Sequence, residues 1–331
     1  MSLFTSNIGI DLGTANTLIY LEGKGIIINE ASVVAIDDKN QVKAVGAEAK
    51  QMFGKTPKSI KVVWPLKDGV IADFDVAKVM IRYFVTKALN YKKFARPKIT
   101  ICVPVGVTSI EKKAVDEVAR NAGAKVVKII EEPMAAAIGA NLNVESACGN
   151  MIVDIGGGTT EIAVISLDGI VVSDSLRIAG NALDASIRDY AKRKYKLDIG
   201  LSTAERAKIS IGNACAEYFE SNADAKTEID IVGRDMVTGL PRNLVLTSDE
   251  IRGAMSEIIN NISFGIKRCL ERTPAELSAD IYANGIYLAG GGALIKGLDI
   301  FLARETGLNI NIAEEPLNCV ALGSGKICEK L

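Results

Sequence analysis

The chain has 331 residues, 48% of them hydrophobic and 24% charged, with a formal net charge of −1. This composition predicts a folded chain long enough for two globular bodies, and a charge so near zero excludes a basic field that would hold nucleic acid. There is no histidine, the six cysteines form no C-x-x-C pair, and no apolar run reaches the roughly 20 residues of a membrane span, which excludes histidine-based catalysis and predicts a reduced cytoplasmic protein.

The first predicted element is a β-hairpin, IGIDLGTANTLIYL at residues 8–21. Two apolar strands flank a turn that begins at Asp11, and the next segment, GIIINEASVVAI, predicts a third strand of a meander. The more polar stretch that follows, residues 33–65, is expected to form a small inserted subdomain.

A basic and aromatic stretch, TKALNYKKFARPK, occupies residues 86–98. Tyr91 and Phe94 alternate with lysines and arginine, a pattern that suits a lipid surface at about 1 kcal/mol per cation. The same pattern also fits a solvated helix end with one ring in the core. Leu3 and Phe4 would be a second membrane contact.

Strand and helix signals alternate from residue 98 onward. KITICVPV predicts a strand, and Thr108 with Glu111 forms a capping box that begins a helix. Farther on, Glu131 and Glu132 precede Pro133. These two carboxylates fit either a helix N-terminus or a residue that polarises a water molecule.

The stretch IVDIGGGTTEIAVI at 152–165 repeats the first hairpin. Four pairs of residues match at a single offset of 143, which is the sign of a twofold repeat: Asp11 with Asp154, Gly13 with Gly156, Asn16 with Thr159, and Thr17 with Thr160. The sequence therefore predicts two similar α/β halves with buried sheets.

The second half continues with helical signals and a third glycine turn. Residues 181–243 are polar enough for a second small subdomain, and STAE at 202–205 reads as a capping box. Thr247 with Glu250 predicts a long helix, and Thr273 is expected to cap the helix that begins at Pro274. The strand at 285–290 then leads into the turn LAGGGALIKG, which is expected to open a helix.

The three turns DLGTANT, DIGGGTT and LAGGGALIKG share small residues after a strand. Bare glycine amides can converge on a phosphate, although a tight β-turn needs the same residues, and the aspartates could simply cap the turns. Two aspartate-led turns in equivalent positions favour a phosphate clamp. Neither AKQMFGKT nor GSGKI has the spacing of a P-loop, and no G-x-G-x-x-G follows the first strand.

Several segments in order resemble the MreB family of bacterial actins, within the actin, Hsp70 and sugar kinase superfamily: GIDLGTANTLIY, CVPVGVTSIEKKAV, IEEPMAAAIGA, VDIGGGTTEIAVISL, TAERAKISIG, GRDMVTGLP and LAGGGALIKGLD. The resemblance implies an α/β, actin-like ATPase fold of two pseudo-symmetric halves around a nucleotide cleft. It implies a first half at 1–32, 66–144 and 319–331 with its subdomain at 33–65. The second half takes 145–180 and 244–318, with its subdomain at 181–243.

The resemblance also assigns site residues. Asp11 and Asp154 would hold Mg²⁺ through water. Glu132 would orient the attacking water with help from Thr159. The remaining residues would contact ATP or ADP: Gly13, Thr14, Ala15 and Asn16; Gly156, Gly157 and Gly158; Glu205, Arg206, Ala207 and Lys208; and Gly290, Gly291, Gly292 and Ala293.

The function that the resemblance implies is an ATP-hydrolysing cytoskeletal protein. It would form filaments with itself, lie peripherally on the inner face of the cytoplasmic membrane, meet other cell-shape proteins, and contribute to cell shape or motility. The alternatives are a scaffold with vestigial hydrolysis, an Hsp70-like chaperone, for which the chain leaves no peptide-binding domain, and a sugar kinase.

Overall fold

The computed structural model describes residues 7–90, 96–218, 222 and 227–330. The strands are β1 Asn7–Leu12, β2 Asn16–Leu21, β3 Gly25–Ala31, β4 Val34–Asp37, β5 Val42–Val45, β6 Ile60–Val63, β7 Leu66–Lys67, β8 Val70–Ile71, β9 Lys98–Val103, β10 Val126–Glu131, β11 Asn150–Ile155, β12 Thr160–Ser166, β13 Gly169–Leu176, β14 Leu197–Asp198, β15 Glu228–Asp235, β16 Pro241–Thr247, β17 Ile286–Ala289 and β18 Ile310–Ile312. The α-helices are α1 Ala47–Met52, α2 Phe74–Ala88, α3 Ser109–Asn121, α4 Glu132–Gly139, α5 Gly180–Tyr195, α6 Leu201–Ile211, α7 Ser248–Glu271, α8 Ala275–Asn284, α9 Leu298–Thr306 and α10 Cys319–Glu329.

Two five-stranded sheets share one topology. Their orders are β3-β2-β1-β9-β10 and β13-β12-β11-β17-β18. In each, the first three strands form an antiparallel meander and the last two join in parallel. Parallel strands need crossover connections, which helices supply here. The predicted repeat and its two meanders are confirmed.

The first predicted insertion contains a small antiparallel sheet, β5-β4-β6. A second one, β14-β15-β16, lies at the other predicted insertion, but β16 continues to Thr247, past the predicted end at residue 243. Residues of β4 and β5 pack with α1 in a minor core of their own. The exact division of the chain into halves and subdomains remains a prediction.

Helices α4 and α10 pack in a core between the two large sheets, where Ile152 and Ala163 meet buried alanines of α4. The backbones of these helices touch. A Cβ on Gly139 would collide with the carbonyl of Cys319, and one on Gly323 with the carbonyl of Ala135. This contact therefore requires glycine.

Of the four predicted helix caps, two are confirmed and two are wrong. Thr108 and Thr247 form the predicted capping boxes at α3 and α7. The prediction for Thr273 was wrong, because Pro274 is the N-cap of α8 and the Thr273 hydroxyl donates to the carbonyl of Cys269.

The capping box predicted for STAE and the helix predicted to open at the third glycine turn were also wrong. Helix α6 already begins at Leu201 after Gly200, so STAE lies inside the helix and is no capping box. The third glycine turn forms one 3₁₀ turn, Gly291–Leu294, and α9 begins only at Leu298.

No helix in the described ranges is long and apolar enough to cross a membrane. The predicted membrane contacts Leu3, Phe4, Tyr91 and Phe94 lie outside the described residues.

Candidate functional site

A cavity of about 460 Å³ lies where the two hairpin turns face one another. Most of the nucleotide and metal residues predicted from the sequence line it: Asp11, Gly13, Thr14, Ala15, Asn16, Glu132, Asp154, Gly156, Gly157, Gly158, Thr159, Glu205, Lys208, Gly290, Gly291 and Gly292. The fold thus brings together residues that are up to 281 positions apart in the sequence.

Three of the predicted residues do not line this cavity. Ala207 and Ala293 are fully buried in the core of the second half. Arg206 lies in a neighbouring groove, where its guanidinium donates to the carbonyl of Asp230.

The two turns come together because both are bare of bulky side chains. A Cβ on Gly157 would lie 2.6 Å from the Cβ of Ala15, and a Cβ on Gly158 would lie 2.6 Å from Oγ1 of Thr14. Thr14 is itself held in place, since its hydroxyl accepts the N–H of Gly69 at 2.9 Å. Glycines 157 and 158 therefore allow the closest approach of the two repeats.

Three carboxylates converge at the base of the cavity. Burial raises the pKa of Asp11 to about 7 and that of Asp154 to about 8, where Asp11 adds to the rise. Burial also raises the pKa of Glu132 well above its usual value, and the nearby Glu161, Asp11 and Asp154 add to this. The charges that act on Asp154 and Glu132 are thus all negative.

Such a group fits a divalent cation, because buried carboxylates are costly without a compensating charge and Mg²⁺ prefers oxygen ligands. Within the described ranges no three acidic or cysteine side chains are placed to ligate a metal directly. Mg²⁺ usually keeps several water ligands, which suits contact through water, the role predicted for Asp11 and Asp154.

Glu132 is placed by the end of β10 and the start of α4. Pro133 fits the first turn of the helix, where its missing N–H has no helical partner anyway. Glu132 is 7% exposed and Thr159 is also 7% exposed. The two side chains line the cavity from opposite repeats.

The other end of the cavity contains residues that the sequence reading missed. Asp184 of α5 pairs with Lys208 at 2.8 Å, and the Lys208 ammonium also donates to the carbonyl of Gly180. Burial raises the pKa of Asp184, while Lys208 lowers it. Asp184 has no glycine or hydroxyl motif beside it that would have revealed it.

The cavity mouth is apolar on one side and charged on the other. Ile209, Leu294 and Leu317 line it and are all more than half exposed. Glu205 of α6 pairs with Lys50 of α1 at 3.1 Å, so these two helices meet across the mouth. These apolar residues come from helix α6, the 3₁₀ turn and a loop, so no local pattern in the sequence groups them.

Comparison with known proteins identifies relatives over the full length. The family model of the MreB/Mbl proteins matches residues 5–331. The chain is 49% identical to the cell shape-determining protein Mbl of Bacillus cereus over 99% of this chain and 97% of that protein. It is 48% identical to the cell shape-determining protein MreB of Escherichia coli, over 99% of this chain and 95% of that protein.

A solved structure agrees with the sequence relatives. The crystal structure of MreB5 of Spiroplasma citri bound to ADP superposes with a TM-score of 0.92 at 40% identity, covering 98% of this chain and 96% of that one. The same protein bound to AMPPNP gives the same values. The predicted actin-like α/β fold is confirmed.

Proposed function

The chain belongs to the MreB/Mbl family of actin-like, cell shape-determining proteins, and on this premise we propose that it binds ATP with Mg²⁺, hydrolyses ATP and polymerises into filaments. The observation that carries the proposal is the cavity between the two glycine turns, with the carboxylates of Asp11, Glu132 and Asp154 at its base, the last two of them buried. Its relative MreB5 binds ADP and AMPPNP.

The phosphates are assigned to the two turns. Amides of 13–16 and 156–158 would donate hydrogen bonds to the phosphate oxygens, and close approach of bare backbone favours such contacts. A Mg²⁺ ion beside Asp11 and Asp154 would neutralise the charge that develops on these oxygens. Binding of the ion would keep both aspartates ionised.

Glu132 and Thr159 are assigned to the attacking water. The Glu132 carboxylate would accept a hydrogen bond from this water and orient it, with the Thr159 hydroxyl as a second partner. The low exposure of Glu132 excludes competing solvent, and its raised pKa makes the ionised carboxylate a stronger proton acceptor. The two residues come from opposite repeats, so closure of the cleft would complete the site.

The nucleoside is assigned to the cavity mouth. Ile209, Leu294 and Leu317 offer an apolar wall for the base, and Glu205 with Lys208 offers polar partners for the ribose. Gly290, Gly291 and Gly292 complete this set through their backbone, whereas the predicted contacts Arg206, Ala207 and Ala293 do not line the cavity and are not assigned to the nucleoside. Adenine as the base follows from the family.

Filaments on the inner face of the cytoplasmic membrane would connect this chemistry to cell shape or motility, together with other cell-shape proteins. Head-to-tail stacking of one surface on a different one generates a filament when the repeated rotation does not close into a ring. The membrane contacts are assigned to Tyr91 and Phe94, with Leu3 and Phe4 as a second contact.

A paired assay tests the proposed function. The chain is centrifuged after incubation with Mg²⁺ and ATP, or with Mg²⁺ and ADP, and phosphate release from the pellet is measured. We expect pelleting with ATP, less pelleting with ADP, and phosphate release that follows assembly. Pelleting without phosphate release would indicate a scaffold, and phosphate release without pelleting would contradict the cytoskeletal role.

Co-sedimentation with anionic liposomes tests membrane binding. The double variant Tyr91→Ser with Phe94→Ser should lose most of the bound fraction, because two rings no longer enter the lipid interface. Tyr282→Ser, at a residue 73% exposed on α8, serves as the matched control. Equal binding of the double variant and the wild type would exclude this segment as the contact.

A further inference from the structure

Glu161 is a buried carboxylate that none of the proposed steps uses. It lies on β12 opposite Asp154 of β11 and is 1% exposed. One carboxylate oxygen accepts the hydroxyl of Ser175 at 2.7 Å, and the other accepts the N–H of Val105 at 3.1 Å. Burial raises the pKa of Glu161 to about 7, against the effect of both hydrogen bonds.

The internal repeat shows that the fold does not require a carboxylate here. The position 143 residues earlier is Leu18, which lies opposite Asp11 just as Glu161 lies opposite Asp154. Leu18 is buried and apolar. A buried carboxylate costs free energy that a leucine does not, so a role outside folding accounts for Glu161 better.

The hydrogen bond from Val105 joins the two repeats beside the site of the attacking water. Val105 follows the end of β9, whose Val103 is in register with Glu131 of β10, and Glu132 comes next. On the other side, Glu161 is two residues from Thr159. The bond therefore connects the strand edge that carries Glu132 to the hairpin that carries Thr159.

Gly69 packs closely against the loop that contains Val105 and against Thr159. A Cβ on Gly69 would meet the Pro104 ring and would lie 3.2 Å from Cγ2 of Thr159. Pro104 directly precedes Val105. A shift of this loop would therefore change the space next to Thr159.

We propose that Glu161 is a positioning residue for ATP hydrolysis, which holds Glu132 and Thr159 at a fixed separation through its hydrogen bond to Val105. The inference rests on the proposed ATPase function. Glu161 does not line the nucleotide cavity, so its loss should slow hydrolysis and spare ATP binding. Glu161 acts on the reaction through Glu132, and its negative charge also helps to raise the pKa of Glu132.

Three variants test the proposal, with ATP affinity and phosphate release at saturating ATP measured separately. Glu161→Leu installs the residue of the first repeat and should slow phosphate release about tenfold or more, with an ATP Kd within about threefold of wild type. Glu161→Gln keeps an oxygen that accepts the Val105 N–H and should stay within about threefold of the wild-type rate. Ser175→Ala removes only the other hydrogen bond and is the matched control.

Several results would overturn the proposal. The first is a wild-type rate of phosphate release in Glu161→Leu. The second is a loss of rate in Glu161→Gln that is as large as in Glu161→Leu. The third is a loss of rate in Ser175→Ala that is as large as in Glu161→Leu. Thermal melting checks that each variant is folded. If Glu161→Leu does not fold, Val105→Pro removes the N–H donor and leaves the carboxylate, and a wild-type rate in this variant overturns the proposal as well.

The proposed function fails in a different way. A wild-type chain that binds ATP and never releases phosphate would contradict the ATPase function, and the role of Glu161 would fall with it. A wild-type chain that hydrolyses ATP no faster than Glu161→Leu contradicts only the role of Glu161.

Discussion

Gly158→Ala adds one methyl group where the two glycine turns meet. The new Cβ would lie 2.6 Å from Oγ1 and 3.0 Å from Cβ of Thr14, although ordinary contacts begin near 3.4 Å. Gly157 and Gly158 do not have positive φ angles, so alanine suits their backbone. The substitution therefore tests the close approach of the turns and not their conformation.

The overlap between the new Cβ and Thr14 determines how much the closed arrangement of the two turns is destabilised. The turns must separate by about 0.8 Å, the difference between these distances, and Thr14 cannot turn away without losing its bond to Gly69. Overpacking of this kind costs about 1–3 kcal/mol. Since about 1.4 kcal/mol is a factor of ten, the closed arrangement should become roughly 5- to 150-fold less populated.

The assay compares ATP titration and phosphate release for Gly158→Ala and Gly253→Ala. A Cβ on Gly253, in helix α7, would meet nothing within 4 Å, so this control should remain near wild type. We expect Gly158→Ala to bind ATP more weakly and to release phosphate at least about tenfold more slowly. Equal behaviour of both variants and wild type would refute the idea that the turns must meet.

Three further predictions concern the same cavity. Glu132→Ala should bind ATP and slow phosphate release about 100-fold; an unchanged rate would remove Glu132 from the mechanism. The folded-state pKa values of Asp11 and Asp154 are raised to about 7 and about 8 from 3.8, so the nucleotide-free fold holds protons that the unfolded chain has lost. Denaturant melts should therefore show the free energy of unfolding falling from pH 5 to 8, by up to about 6 kcal/mol for the two groups together. A flat or rising profile would contradict this. Lys50→Gln removes the ion-pair partner of Glu205. Because both side chains are partly exposed, stopped-flow should show nucleotide release that is faster by at most about fivefold. Slower release would contradict the idea that this ion pair helps to retain the nucleotide.

The sequence predicted the large sheets well because the repeat is encoded in local patterns. Strand alternation and the offset between Asp11 and Asp154 were enough to place two meanders. The capping boxes at Thr108 and Thr247 were also readable, since each is complete within four residues. Thr273 and the STAE stretch carried similar signals, but the chain entered the helix one residue later in the first case and two residues earlier in the second.

The rest of the cavity could not be read from local patterns. Gly69, Asp184 and the apolar wall come from loops and helices whose residues meet only in the folded chain. Glu161 did leave a signal, because it breaks the repeat at the position of Leu18. Aligning the repeat residue by residue, including its mismatches, would have found it.

The packing of α10 has a consequence for the order of folding during synthesis. Gly323 of α10 packs against Ala135 of α4, and Ser324 lies where a Cβ on Gly9 of β1 would be. The Tyr20 hydroxyl of β2 also donates to Glu329. The helix that covers the first sheet is thus translated some 300 residues after β1. At a synthesis rate of about 5–20 residues per second, this face of the sheet stays uncovered for roughly 15 to 60 s. During that time its exposed apolar face is a substrate for chaperones, and substitutions in α10 should lower the yield of folded protein more than they lower the stability of the protein once folded.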